Sequence, residues 1–149
     1  MINQDSTKMI EQVVRNLASL ELRSCGIAVS GGSDSIALFH IMTDWEYENK
    51  PEILVASVDH GLRSESRSEV EFVKKICEMK NVKHFSLKPA ANISEAQGNL
   101  QDNARSARYQ LLRNWAISND LQSILVGHTL DDQEENLLIR FLRGSGVDG

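Results

Sequence analysis

The amino-acid sequence predicts an α/β domain whose mostly parallel sheet is doubly wound, with helices on both faces. Three observations carry that expectation. Three short apolar runs, at residues 26–29, 53–58 and 124–126, together with a strand-like stretch at 83–87, alternate with stretches of helical periodicity, as strand–helix–strand crossovers require. The first run stops at a Ser-Gly-Gly cluster, the punctuation that turns a buried strand into a helix. A length of 149 residues, 41% of them hydrophobic and 25% charged, suffices for one core without staples.

The elements follow in order. Ile10, Val13, Val14 and Leu17 recur at helical spacing, which predicts an amphipathic helix over residues 7–21. The strand GIAV at 26–29 follows, then a helix marked by Leu38, Ile41, Met42 and Trp45. The second unit repeats the first: an apolar strand at 53–58, typical of burial on both faces, a polar turn, and a helix with Val70, Val73 and Cys77 on one side. The pair Ser66 and Glu69 has the spacing of a capping box at that helix's start. Residues 83–87 form the third strand. Residues 89–103, rich in Asn, Gln, Ala and Gly, lack sustained periodicity and read as a long loop. Ala104, Ala107, Leu111 and Trp115 trace the next helix, residues 124–126 the fourth strand, and Leu138, Phe141 and Leu142 a last helix. The chain ends in a glycine-rich run, 144–149, that reads as a hinge into further structure.

Composition excludes several classes. No uncharged apolar run approaches the ~18 residues of a membrane span, and the polar start lacks the apolar centre of a signal peptide, so the cytoplasm is the expected location. Cys25 and Cys77 belong to no CxxC pair or zinc-spaced cluster and are expected to be reduced, buried thiols. The net charge is -5, and the acidic excess is confined to residues 1–73, with 6 basic and 12 acidic side chains. A dominant nucleic-acid-binding face would show as a basic excess, so any such partner must be gripped locally or by other parts of a larger protein.

Ligands of doubly wound sheets bind at the carboxyl ends of the strands, which directs attention to three turns. The first holds Ser30, Gly31, Gly32, Ser33, Asp34 and Ser35. Adjacent glycines admit a close backbone approach, the amides at a helix start favour an anion such as phosphate, and the serine hydroxyls add donors. Asp34 would repel a bare phosphate, so it makes sense with a bridging Mg²⁺. The pattern lacks the lysine of GxxxxGK[ST] and the spacing of GxGxxG. The second turn brings Asp59, His60 and Arg63 to the same crevice. The third runs from Gly127 and His128 into Asp131, Asp132, Glu134 and Glu135; one acid would cap a helix, but four in five positions repel one another unless a cation or basic ligand compensates them. Arg105, Arg108 and Tyr109 lie on the shoulder of a helix, where exposed arginines are ordinarily only solvated. His40 and His84 have no evident partners in the sequence.

The stretches AVSGGSDSIAL, VDHGLR, NARSARYQLL and VGHTLDDQEENLLIRFLRGSG, in this order, resemble the N-type ATP pyrophosphatase (PP-loop) superfamily and, within it, the bacterial tRNA(Ile)-lysidine synthetases. One departure is Asn136, where such enzymes usually carry Thr. The resemblance implies an adenine nucleotide alpha hydrolase-like, Rossmann-like fold, with residues 1–149 forming the PP-loop domain without the helical and C-terminal tRNA-binding domains of the family. It implies a ligase: ATP adenylates the wobble cytidine of the isoleucine tRNA with a CAU anticodon, and the ε-amine of free lysine displaces AMP to give lysidine. It further implies ATP and Mg²⁺ as cofactors, with Ser30 to Ser35, Asp59 and His60 around the nucleotide, Asp34 and Asp132 on the metal, and Asp34, Asp131, Asp132, Glu135 and Arg105 as catalytic residues. The expected partners are that tRNA and free L-lysine, with no membrane; a homodimer is admitted. Two alternatives stand beside this reading. A cytidine thiolase of the same superfamily would depend on CxxC cysteines, an arrangement Cys25 and Cys77 do not have, and a non-catalytic ATP-binding domain would need the glycine turn but not the acids.

Overall fold

The computed structural model describes residues 4–44, 46, 49–59, 64–89, 100–127 and 140–141. In chain order they form α1 (Gln4–Ala18), β1 (Ser24–Ala28), α2 (Ser33–Thr43), β2 (Glu52–Val58), α3 (Ser64–Met79), β3 (Lys83–Leu87), α4 (Leu100–Ser118), β4 (Ser123–Val126) and β5 (Arg140–Phe141). The strand order is β3-β2-β1-β4-β5. The first four strands are parallel, with Ile27 opposite both Val55 and Leu125, so β1 lies at the centre where the winding reverses.

Alternation along the central strands divides the core in two. Cys25, Ile27 and Val29 of β1 and its exit, with Ile53 and Val55 of β2, pack beneath α1, α2 and α3 through Val14, Leu17, Phe39, Met42, Val73 and Cys77. On the opposite face Ala28, Leu54 and Ala56 meet Leu112, Trp115 and Ala116 of α4. Both faces are therefore covered, as a parallel sheet requires. Gly26 makes the second layer fit: a Cβ there would stand 2.6 Å from Cζ3 of Trp115 and 2.9 Å from Leu121. Cys25 and Cys77 are buried free thiols, and among the described residues no helix is long and apolar enough to cross a membrane.

Several local expectations need correction. α3 starts at Ser64, so Ser66 and Glu69 stand inside the helix rather than forming its capping box. α4 begins at Leu100 and takes in residues expected to be loop; the polar run of Gln101, Asp102 and Asn103 shows no apolar period, and a first helical turn needs none. The helix expected from Leu38, Ile41 and Met42 does form as α2; its buried residues are Ser35, Phe39 and Met42, with Leu38 and Ile41 partly buried, because it is apolar nearly all round. Arg140 and Phe141, expected in a helix, instead pair antiparallel with Ile124 and Ser123, meeting the backbone groups that β4 would otherwise leave open on its outer edge.

Candidate nucleotide-phosphate site

The carboxyl end of β1 leads through Val29 into the turn of Ser30, Gly31 and Gly32, and Gly32 is the N-cap of α2. Gly31 sits at φ +90°, a conformation that side chains rarely adopt, and a Cβ there would come within 3.1 Å of the Glu69 Cβ on α3. The first helical bond runs from the Ile36 N–H to the Gly32 carbonyl. The amides of Ser33, Asp34 and Ser35 therefore precede the helical ladder, and no side chain of Gly32 caps them. Together with the helix dipole they make this end of α2 receptive to an anion.

The serines do more than was expected of them. Ser35 is only 3% exposed, and its hydroxyl donates to the Gly32 carbonyl at 2.9 Å while accepting the Ser30 N–H at 3.2 Å. Ser30 Oγ lies 3.3 Å from the same hydroxyl and accepts the Gly32 N–H at 3.4 Å. These hydroxyls hold the turn's shape, so the donors left to face a ligand are chiefly main-chain. Ser33 and Asp34 are exposed, and among the described residues nothing hydrogen-bonds the Asp34 carboxylate.

Two neighbours close on the turn. Gly127, directly after β4, lies so near the start of α2 that a Cβ would meet the Asp34 carbonyl oxygen at 2.9 Å and Ser35 Cα at 3.0 Å. On the other side a cavity of about 160 Å³ opens between Ala28, Val29 and Ser30, the end of β2, Glu69 and Val70 of α3, and Arg108 of α4. A larger cavity of about 290 Å³ lies at the opposite, amino-terminal ends of β2 and β3. Strand carboxyl ends are where such sheets bind ligands, so the smaller cavity is the candidate site.

The structure brings Ser30, Gly31, Gly32, Ser33, Asp34 and Ser35 together at one helix start, and places Asp59 at the end of β2, buried, its N–H bonded to the Leu87 carbonyl at 2.8 Å. Arg105 is exposed and lies over the Tyr109 ring at 5.9 Å. His60, Asp131, Asp132 and Glu135 lie outside the described residues, as does His128, and no group of three or more metal-ligating side chains occurs among the described residues. Sequence reasoning left Arg108 among ordinary shoulder arginines, gave Gly127 only as the start of the third turn and Glu69 only as a capping-box residue, and passed over Ser57. The signal for Arg108 is its spacing: it precedes the buried Leu112 by four residues and Trp115 by seven, which sets it on the sheet-facing side of α4.

Parallel strands wound in both directions, with uncapped helix amides at their carboxyl ends, define an α/β protein of the nucleotide-phosphate-binding class. Comparison with known proteins narrows the class. The family model for the PP-loop domain matches residues 2–149, and the chain belongs to that family. A tRNA(Ile)-lysidine synthase of Wolbachia pipientis is 43% identical over 145 residues, covering 95% of this chain and 33% of the relative. One of Ruegeria pomeroyi is 45% identical over 127 residues, covering 85% and 30%. The chain thus spans about a third of the length of these curated relatives. Among solved structures, a U34-tRNA thiolase of Methanococcus maripaludis superposes with a TM-score of 0.68 at 16% identity, covering 84% of this chain and 48% of that one. An NH3-dependent NAD synthetase of Campylobacter jejuni gives 0.63 at 12%, covering 85% and 56%. These two likenesses establish the shared fold.

Proposed function

We propose that the chain is the ATP-using catalytic domain of a tRNA(Ile)-lysidine synthetase, acting in the cytoplasm with helical and C-terminal tRNA-binding regions of the kind the family carries. The observation that carries the proposal is the uncapped start of α2, with Arg108 across a cavity from Ser30. In this reading the amides of Ser33 to Ser35 take the β- and γ-phosphates, the cavity lining of Ala28, Ala56 and Val58 takes the base, and the Arg108 guanidinium meets the α-phosphate. Mg²⁺ characteristically takes one or two carboxylates with phosphate oxygens, a role that suits the exposed carboxylate of Asp34 and, by resemblance, Asp132.

The chemistry has two steps. The ring carbonyl oxygen of the wobble cytidine attacks the α-phosphorus and pyrophosphate leaves. The ε-amine of free lysine then attacks the activated ring carbon, AMP leaves with the carbonyl oxygen, and the amine gives up a proton. A cationic amine is no nucleophile, so carboxylates must both attract it and accept that proton; Asp131, Asp132 and Glu135 are the residues we assign to this, with Arg105 near the phosphates or the flipped cytidine. The 43% and 45% identities to tRNA(Ile)-lysidine synthases support the choice of substrate. The test is incubation of the full-length protein with ATP, labelled lysine and total tRNA. Label in the isoleucine-accepting fraction, dependent on ATP, is the expected result; label in no tRNA would overturn the proposal.

A further inference from the structure

After the exposed Glu52, the strand β2 (EILVASV) is apolar except for one buried hydroxyl, that of Ser57 at 3% exposure. That hydroxyl donates to the Val29 carbonyl at 2.8 Å, and His84 Nε2 on β3 lies 3.0 Å from it. A serine has a single proton. Once given to Val29, it leaves only lone pairs toward the imidazole, so His84 must carry hydrogen on Nε2 and act as the donor. The result is a directed chain from His84 through Ser57 to Val29, crossing three adjacent strands.

Its end point matters because the Val29 carbonyl and the Ser30 N–H belong to one peptide group. The oxygen is held by Ser57 of β2, and the N–H is held by Ser35 Oγ of α2 at 3.2 Å. Val29 itself donates its own N–H to the Ala56 carbonyl at 2.9 Å. A peptide plane fixed at both ends sets the angle at which the chain enters the glycine turn, and hence the direction of the amides that follow. We infer that His84 and Ser57 are positioning residues for the phosphate cradle, bracing the 29–30 peptide so that the amides of residues 33–35 converge on the nucleotide. This rests on the reading of the cradle given above.

The experiment measures Mg²⁺–ATP affinity by calorimetry, turnover at saturating ATP, and thermal stability for the full-length protein and its Ser57→Ala, His84→Phe and His84→Gln variants. Ser57→Ala and His84→Phe are expected to weaken ATP binding by about three- to tenfold, the scale of one buried hydrogen bond, and to leave saturated turnover within about twofold. His84→Gln, which keeps an N–H donor, is expected to bind ATP within about twofold of the unaltered protein. Equal affinities in Ser57→Ala and the unaltered protein would overturn the brace alone, and failure of the unaltered protein to bind ATP would overturn the cradle and the brace with it. Nitrogen NMR supplies a readout that needs no variant: near neutral pH the His84 proton is expected on Nε2, and a proton found on Nδ1 instead would refute the chain.

Discussion

Two glycines, Gly26 within the central strand β1 and Gly127 just after β4, have different consequences, because different atoms stand where their side chains would be. At Gly26 a Cβ would press on the Trp115 ring and Leu121, deep in the layer beneath α4. Gly26→Ala is expected to cost about 1–3 kcal/mol of stability, as overpacked cores do, and denaturant unfolding checks it. At Gly127 the same added carbon would press on the backbone of Asp34 and Ser35, at the start of α2. Gly127→Ala is therefore expected to weaken ATP binding by about tenfold or more, with a stability loss too small to account for it. Calorimetry beside thermal melts separates the two. The glycine turn was legible in the sequence because an apolar strand and a Ser-Gly-Gly cluster are local signals. Arg108 and the Ser57–His84 chain were not. An arginine is left out of an apolar stripe by definition, and the serine and histidine meet only through the register that sets Val55 beside His84 and Ser57 beside Ser86.

At the scale of elements, α3 and α4 end alike. Val82 N–H bonds back to the Cys77 carbonyl at 2.9 Å, and Leu121 N–H to the Ala116 carbonyl at 3.0 Å. Asn81 and Asp120, the residues before them, have φ of 54° and 52°. These are Schellman endings, which turn each helix directly into the following strand and set an apolar residue, Val82 or Leu121, against the core. Asn tolerates that conformation better than Asp, and Gly better than either. Asp120→Gly is expected to raise stability by about 0.5–1 kcal/mol, read from the urea midpoint, with ATP affinity unchanged. Neither ending was legible beforehand, since Lys80-Asn81 and Asn119-Asp120 carry no glycine to mark a helix end. The two-residue β5 is too short to carry a period of any kind. The long strands, by contrast, stood out as apolar runs that only a sheet covered on both sides can bury.

The whole molecule's stability should fall at both ends of the pH scale, through different groups. Burial pushes the Cys25 thiol up to about 12 and that of Cys77, with Glu78 nearby, up to about 11, from 9.0. An unfolded chain ionises these thiols first, so the folded state holds more protons above pH 9 and stability falls as pH rises toward the native values. For Cys25 the slope approaches about 1.4 kcal/mol per pH unit. Desolvation holds His84 below its usual 6.5, helped by Lys74 and opposed by Glu71 and Glu78. Here the unfolded chain takes up the proton first, so stability present above 6.5 is lost as pH falls through the native value. Urea unfolding from pH 5 to 10 should give a broad maximum between these limits, and His84→Gln should flatten the acid side while leaving the alkaline side unchanged.

In the proposed site, main-chain amides at the start of α2 receive the phosphates. Amide NMR of the labelled protein, titrated first with pyrophosphate and then with Mg²⁺–ATP, tests this most directly. The largest shifts are predicted at residues 31–35 for both ligands, with residues 28–30 and 56–58 joining only when the adenosine is present. Saturable binding that leaves the amides of 31–35 unmoved would contradict the account.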